Sequence, residues 1–132
     1  MENFRFCVGT DILFGKGQIE NLPNVIRTYG NKVLLTYGGG SIKRNGLYDK
    51  VKSLLSEFEV YELGGIEPNP RIDSVYEGAN ICKENGVDVI LAVGGGSTID
   101  CSKAIAAATF YDHDAWDLIM DASKITKALP IC

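Results

Sequence analysis

The stretch Leu91-Ala-Val-Gly-Gly-Gly-Ser97 has a near copy upstream, Leu35-Thr-Tyr-Gly-Gly-Gly-Ser41. Each places a glycine triplet and a serine directly after an apolar run. Glycine loses the most backbone freedom on folding, so an ordered triplet implies a need for bare backbone at that point. Bare backbone offers N–H groups at close range, and an anion is the ligand that uses them best. The downstream copy runs straight into STIDCSKAIAAA, a strong helical pattern. Ser97 is placed to cap this helix, and Asp100, three residues on, makes an aspartate variant of the capping box. Gly94, Gly95, Gly96 and Ser97 would then form a phosphate or pyrophosphate cradle at a helix start. The pattern is not the G-x-G-x-x-G fingerprint, because Ile99 holds the third glycine's place. It is not a Walker loop either, which needs Gly-Lys-Ser/Thr. A tight strand-to-helix turn without a ligand would use the same residues, so the pattern alone leaves both readings open.

The upstream triplet is followed by SIKRNG, where no immediate helix is expected. Gly38, Gly39, Gly40 and Ser41 gather with Lys43 and Arg44 near a strand end that carries no acid. NAD sites commonly place a carboxylate there to grip the ribose hydroxyls. Its absence, with two cations nearby, leaves room for a 2′-phosphate. A solvated turn is the other reading of Lys43 and Arg44. The cofactor expectation is therefore dual use, with NADP modestly favoured over NAD. A third stretch, GGIEPNP at 64–70, is stiffened by two prolines. Asn69 between them is able to present its amide in a fixed orientation, unless the stretch is a plain turn.

Other groups of chemical interest read as structural. His113 lies between Asp112 and Asp114, which looks ligand-like, but a polar helix start is the preferred reading. Cys7, Cys82, Cys101 and Cys132 form no C-x-x-C pair and are expected to be free thiols, mostly buried. A net charge of −4 argues against a general nucleic-acid binder. No apolar run approaches the roughly 20 residues that span a bilayer, and MENFRFCVGTD lacks a signal-peptide core. The expected setting is cytoplasmic, with no membrane or nucleic-acid partner.

The elements that must position these loops follow from periodicity. Residues 4–8 and 12–14 predict two short strands in an N-terminal hairpin. A helical stretch is expected over 18–29, with Pro23 at a turn or a second helix start. Residues 32–37, 60–63 and 87–93 read as strands. Leu47, Tyr48, Val51, Leu54, Leu55 and Phe58 share one helical face, and Ile72, Val75, Tyr76, Ala79 and Cys82 share another, closed by Gly86. Helices are predicted over 97–109 and 114–120, and a further strand begins within 126–132. Strands alternating with helices imply βαβ units and a parallel sheet, with ligands beyond the carboxyl ends of the strands. The expected fold is thus α/β, a Rossmann-like parallel sheet with helices on both faces.

Together ILFGKG at 12–17, YGGGSIKRNG at 37–46, GGIEPNP at 64–70, AVGGGSTIDCSKAIAA at 92–107 and Trp116-Asp117 resemble one family across essentially the whole chain. This is the iron-containing (group III) alcohol dehydrogenase family, most closely its butanol dehydrogenase branch. The resemblance implies a hydride exchange between NAD or NADP and a small primary alcohol or aldehyde. It implies cofactor contacts at Gly38, Gly39, Gly40, Ser41, Asn69, Gly94, Gly95, Gly96, Ser97 and Asp100, and Lys103 matches the motif after the second triplet. It also implies a homodimer formed through the N-terminal end. A divalent metal, Fe or Zn, would be held by an aspartate and three histidines of a helical domain, beyond Cys132. Residues 1–132 are then expected to be a dinucleotide-binding domain truncated at its C-terminal end, with no catalytic or metal-ligating residue of its own. Two other classes fit the residues: a free-standing nucleotide-binding module without catalysis, and a fragment of a dehydroquinate synthase-like lyase.

Overall fold

Lys32–Tyr37 (β1) is buried along almost its entire length, and Val33, Leu34, Leu35 and Thr36 have no exposed surface. Burial on both faces is the mark of a central strand in a parallel sheet. The computed structural model describes residues 3, 5 and 8–132. In it Glu59–Leu63 (β2) pairs with one edge of β1 and Val89–Val93 (β3) with the other, both parallel. The chain therefore leaves β1 toward one side and returns to the other. That reversal makes the gap between β1 and β3 the switch point of the sheet, the place where such folds hold ligands. Tyr37 is in register with Val93, so the two glycine triplets leave the sheet side by side.

Side chains alternate across the strands and feed two cores. Leu22–Arg27 (α1), the single turn Ser41–Arg44 (α2) and Leu47–Leu54 (α3) cover one face. There Ile26, Ile42 and Val51 pack with Val33, Leu35, Val89 and Leu91. Ile72–Asn85 (α4), Gly96–Ala108 (α5) and Trp116–Met120 (α6) cover the other. There Val75, Cys82, Ile105 and Leu118 pack with Leu34, Leu63 and Ile90. This is the α/β arrangement expected, with helices on both faces.

Several boundaries differ from expectation, each for a local reason. Residues 8–14 form no strand; Ile12 and Phe14 are 74% and 92% exposed. An isolated two-stranded ribbon is marginal in water, and among the described residues no strand pairs with 8–14. The other half of the expected hairpin, at 4–8, lies largely outside the described residues. The stretch at 18–29 divides into a 3-10 turn, Gln18–Asn21, and α1, with Pro23 in the first turn of α1. Proline is tolerated there because its missing N–H has no helical acceptor. The strand expected over 87–93 starts two residues later, because the Asp88 carboxylate turns back to accept the N–H groups of Asn31 and Lys32, both at 3.0 Å. At 126–132 only Ile131 bridges, parallel to Ile90, with Cys132 N–H donating to Ile90 O at 2.8 Å. This adds a start of pairing on the open edge of β3. Among the described residues no helix is long and apolar enough to cross a membrane.

One buried polar chain ties the sheet to α5. Ser102 Oγ donates to Thr98 O at 2.7 Å and sits 2.7 Å from Thr36 Oγ1. Ser102 has a single hydroxyl proton and spends it on Thr98 O, so Thr36 is the donor to Ser102. Both hydroxyls are fully buried. Ser102→Ala should therefore lower the unfolding free energy by about 1–2 kcal/mol, because Thr36 is left with only a 3.4 Å contact to Leu91 O. Urea unfolding of parent and variant measures this, and an unchanged midpoint would show that the chain carries no net stability.

Candidate dinucleotide-binding site

The downstream triplet forms the start of α5, but not as the capping pattern predicts. Gly95 is the N-cap, with extended backbone (φ −90°, ψ −165°), and no side chain caps the helix. Ser97 lies inside the first turn, and Asp100 is exposed one turn on with no side-chain hydrogen bond among the described residues. The capping-box expectation for Ser97 and Asp100 is therefore corrected. The reason is Thr98. It is 4% exposed, and its inward rotation fixes the phase of the helix and places Ser97 past the cap position. The first helical bond runs from Ile99 N–H to Gly95 O, so the N–H groups of Gly96, Ser97 and Thr98 have no helical acceptor. No acidic residue occupies that first turn. The dipole end of a 13-residue helix is thus left for an external anion.

Close neighbours explain glycine at both strand ends, Thr98 at Gly94 and the Ile66 carbonyl at Gly38. A Cβ on Gly94 would lie 2.8 Å from Thr98 Oγ1, so close that Thr98 would have to shift. A Cβ on Gly38 would lie 3.3 Å from Ile66 O and 3.8 Å from the same Thr98 oxygen. Thr98 is therefore a wedge between the two triplets. Gly39, Gly95 and Gly96 are different: a Cβ on any of them meets nothing within 4 Å. They border open space, the bare-backbone surface that a ligand could approach.

The upstream triplet does lead into a helix, contrary to expectation, although α2 is a single turn capped by Gly40. Arg44 N–H donates to Gly40 O at 3.0 Å, and the Arg44 guanidinium folds back over Gly40. Lys43 takes another course. Its ammonium stands 4.8 Å from the ring centroid of Tyr48 and 5.4 Å from that of Tyr37. The third loop packs directly on this triplet: Gly65 N–H donates to Gly38 O at 2.9 Å and Ile66 N–H to Tyr37 O at 3.2 Å. Asn69 is exposed, with left-handed backbone (φ 63°). Asparagine tolerates that conformation better than most residues. Its amide makes no hydrogen bond among the described residues. The structure thus brings Gly38–Ser41 and Gly94–Ser97 to one crevice and seats the loop that carries Asn69 against the first of them.

An acid does lie close to this region, on β2 rather than β1. Glu62 accepts from Tyr48 Oη at 2.7 Å and Tyr37 Oη at 3.1 Å through one oxygen, and from Lys52 Nζ at 3.1 Å through the other. Partial burial works to raise its pKa, but the bonds from Tyr48, Lys52 and Tyr37 outweigh that and hold it below the usual carboxylate range. The hydrogen bond to Glu62, followed by burial, pushes Tyr48 up to about 12. Sequence reading missed this cluster. A glutamate beside Leu63 near the end of β2, with two tyrosines on neighbouring elements, was the available clue.

The remaining polar groups behave structurally. Asp114 accepts from Trp116 N–H at 2.9 Å and from Tyr76 Oη, at the start of α6. His113 lies edge-on to Tyr111. Burial pushes the Cys82 thiol up to about 11 and raises Cys101 as well, so neither is a ready nucleophile. Among the described residues no three His, Cys, Asp or Glu side chains are grouped to hold a metal ion.

Comparison with known proteins gives this arrangement a lineage. The family described as iron-containing alcohol dehydrogenase matches residues 9–132. The chain belongs to that family. Among iron-containing alcohol dehydrogenases it is 55% identical to NADH-dependent butanol dehydrogenase A of Clostridium acetobutylicum, over 99% of this chain and 34% of the relative. It is 42% identical to the NADPH-dependent aldehyde reductase YqhD of Escherichia coli, over 99% of this chain and 34% of that protein. The crystal structure of NADH-dependent butanol dehydrogenase A from Thermotoga maritima superposes with a TM-score of 0.94 at 45% identity, over 99% of this chain and 34% of the other. The chain thus spans about a third of the length of these iron-containing alcohol dehydrogenases.

Proposed function

We propose that residues 1–132 form the N-terminal dinucleotide-binding domain of a metal-dependent, NAD(P)-linked dehydrogenase. Its substrates are small primary alcohols and their aldehydes, such as butanol and butanal. The observation that carries this reading is the side-by-side exit of two glycine triplets at the sheet's switch point, one of them opening an uncapped helix. The N–H groups of Gly96, Ser97 and Thr98 hold the pyrophosphate, and Gly94 and Gly95 let it approach. Gly38, Gly39, Gly40 and Ser41 border the adenosine ribose, with Asn69 and Asp100 at the edges of the site. When bound, the nicotinamide supplies the hydride that the reaction transfers. The intact protein also holds a divalent metal, Fe or Zn; among the described residues no three His, Cys, Asp or Glu side chains are grouped to hold it. The intact protein is a cytoplasmic homodimer with no nucleic-acid or membrane partner. Names of relatives that include both NADH and NADPH support dual cofactor use.

The full gene product should reduce butanal with either cofactor. Gly39→Asp tests the ribose loop. An added Cβ there meets nothing within 4 Å, so the fold should be unaffected. Its carboxylate would repel a 2′-phosphate and accept from the 2′-hydroxyl of NAD. NADP affinity should fall by about tenfold more than NAD affinity, a difference of about 1.4 kcal/mol. Equal losses for both cofactors would show that this loop does not read the 2′ position.

A further inference from the structure

We infer that Arg44, rather than its neighbour Lys43, is the specificity-determining cation of the upstream loop: its guanidinium, drawn back across Gly40, reads a 2′-phosphate on the cofactor. The inference rests on the dinucleotide reading proposed above and assigns a residue to one of its contacts. It begins with the course of the two side chains. A Cβ on Gly40 would lie 2.9 Å from Arg44 Nη1. The guanidinium therefore covers the last glycine of the triplet, one residue from Gly39, where an added Cβ meets nothing within 4 Å. Arg44 is exposed, and among the described residues it has neither a carboxylate within 4.0 Å nor a side-chain hydrogen bond. Its charge is unspent.

Lys43 is engaged elsewhere. Its ammonium stands over the Tyr37 and Tyr48 rings, and those rings are held in turn by Glu62. Donation to a carboxylate makes the tyrosine rings richer in electrons and strengthens their hold on a cation. Reaching toward a phosphate would cost Lys43 that contact. Glu62, the acid that could have neutralised Arg44, is itself occupied by Tyr37, Tyr48 and Lys52. The cluster thus parks one cation and one acid and leaves a single guanidinium at the triplet. A planar guanidinium matches a phosphate monoester through paired N–H donors, whereas the ribose diol of NAD offers it only neutral oxygens. Glycine at position 40 also acquires a reason: any side chain there would displace the guanidinium.

The test measures the dissociation constants of NADP⁺ and NAD⁺ for the full gene product and its variants. Arg44→Met should weaken NADP⁺ by about tenfold and leave NAD⁺ within about twofold. Lys43→Met should leave both within about twofold. Gly40→Ala should lower the ratio of NADP⁺ to NAD⁺ affinity as Arg44→Met does, and Gly40→Ala with Arg44→Met should lower that ratio no further than either alone, because both act on it through one contact. Added salt should shrink the parent's preference for NADP⁺ and not that of Arg44→Met. Equal loss of both cofactors in Arg44→Met, a selective NADP⁺ loss in Lys43→Met, or additive losses in the double variant would overturn the inference while leaving the dinucleotide site in place. A parent protein that binds neither cofactor would overturn the dinucleotide reading itself.

Discussion

Gly95→Asp should leave the full gene product at least as stable as its parent and weaken both NAD and NADP by about a hundredfold, about 2.7 kcal/mol. The two effects have opposite signs because one position serves two purposes. Gly95 is the N-cap of α5, in extended backbone that aspartate adopts freely, and an added Cβ meets nothing within 4 Å. Aspartate is among the best N-cap residues, better than glycine by a few tenths of a kcal/mol, and its charge opposes the helix dipole. The same carboxylate would accept the N–H groups that the pyrophosphate needs and bring a negative charge against a ligand that is already negative. The helix gains and the cofactor loses. Calorimetric binding and thermal unfolding of the same preparation measure both. Retained affinity would remove the pyrophosphate from this helix start. A fall in stability equal to the fall in affinity would reduce the result to damaged folding.

The second large effect is an absence of turnover. A polypeptide of residues 1–132, supplied with NADH or NADPH, butanal and Fe²⁺ or Zn²⁺, should form no butanol above a protein-free control, whereas the full gene product should. The shortfall is on the order of a millionfold or more, the scale that separates enzymes from uncatalysed reactions. Aldehyde reduction needs a hydride donor held in place, a group that polarises the carbonyl and a proton source. The role proposed for the loops here is the first of these. No metal-ligating group of three gathers among the described residues, and burial keeps Cys82 and Cys101 as neutral thiols. Trp116, Ile119, Met120 and Ile125 expose apolar surface around α6, so the polypeptide should be assayed dilute, where aggregation is slow. Metal-dependent turnover by residues 1–132 would contradict the division of labour proposed.

How much of this was legible in the sequence varies from element to element. The strands were, because KVLLTY and VILAV are apolar runs too short for helices and each ends in glycines. Their parallel order followed from the helices between them. The helix start at Gly96 was not legible. Ser97 and Asp100 make a plausible capping pair in isolation, but burial of Thr98 between two backbones outweighs a cap worth about 1 kcal/mol. The strand expected at 12–14 failed for a related reason. Alternation describes a surface that could be half-buried, and Ile12, Leu13 and Phe14 stay exposed. The Glu62 cluster was hidden because its members come from β1, β2 and α3, and no local pattern records a meeting across that distance. Thr36 and Ser102 did leave a trace, Thr36 as the one aliphatic hydroxyl of an apolar strand and Ser102 as one of three in an alanine-rich helix. Their partnership still required the fold.

The central claim is that the cofactor lies on the two triplets, and amide hydrogen exchange of the full gene product with and without NAD⁺ tests it most directly. A rival location exists, a 1040 Å³ cleft between the segment at 9–19, α1 and Cys132, lined by Phe14, Ile19, Leu22 and Leu91. That cleft is mostly apolar, and no residue of either glycine triplet lines it. Saturating NAD⁺ should slow exchange at Gly95–Thr98 and Gly39–Ser41 by about tenfold or more, with little change at 13–22. Protection confined to 13–22, with the two triplets unaltered, would place the cofactor in the cleft and contradict the account.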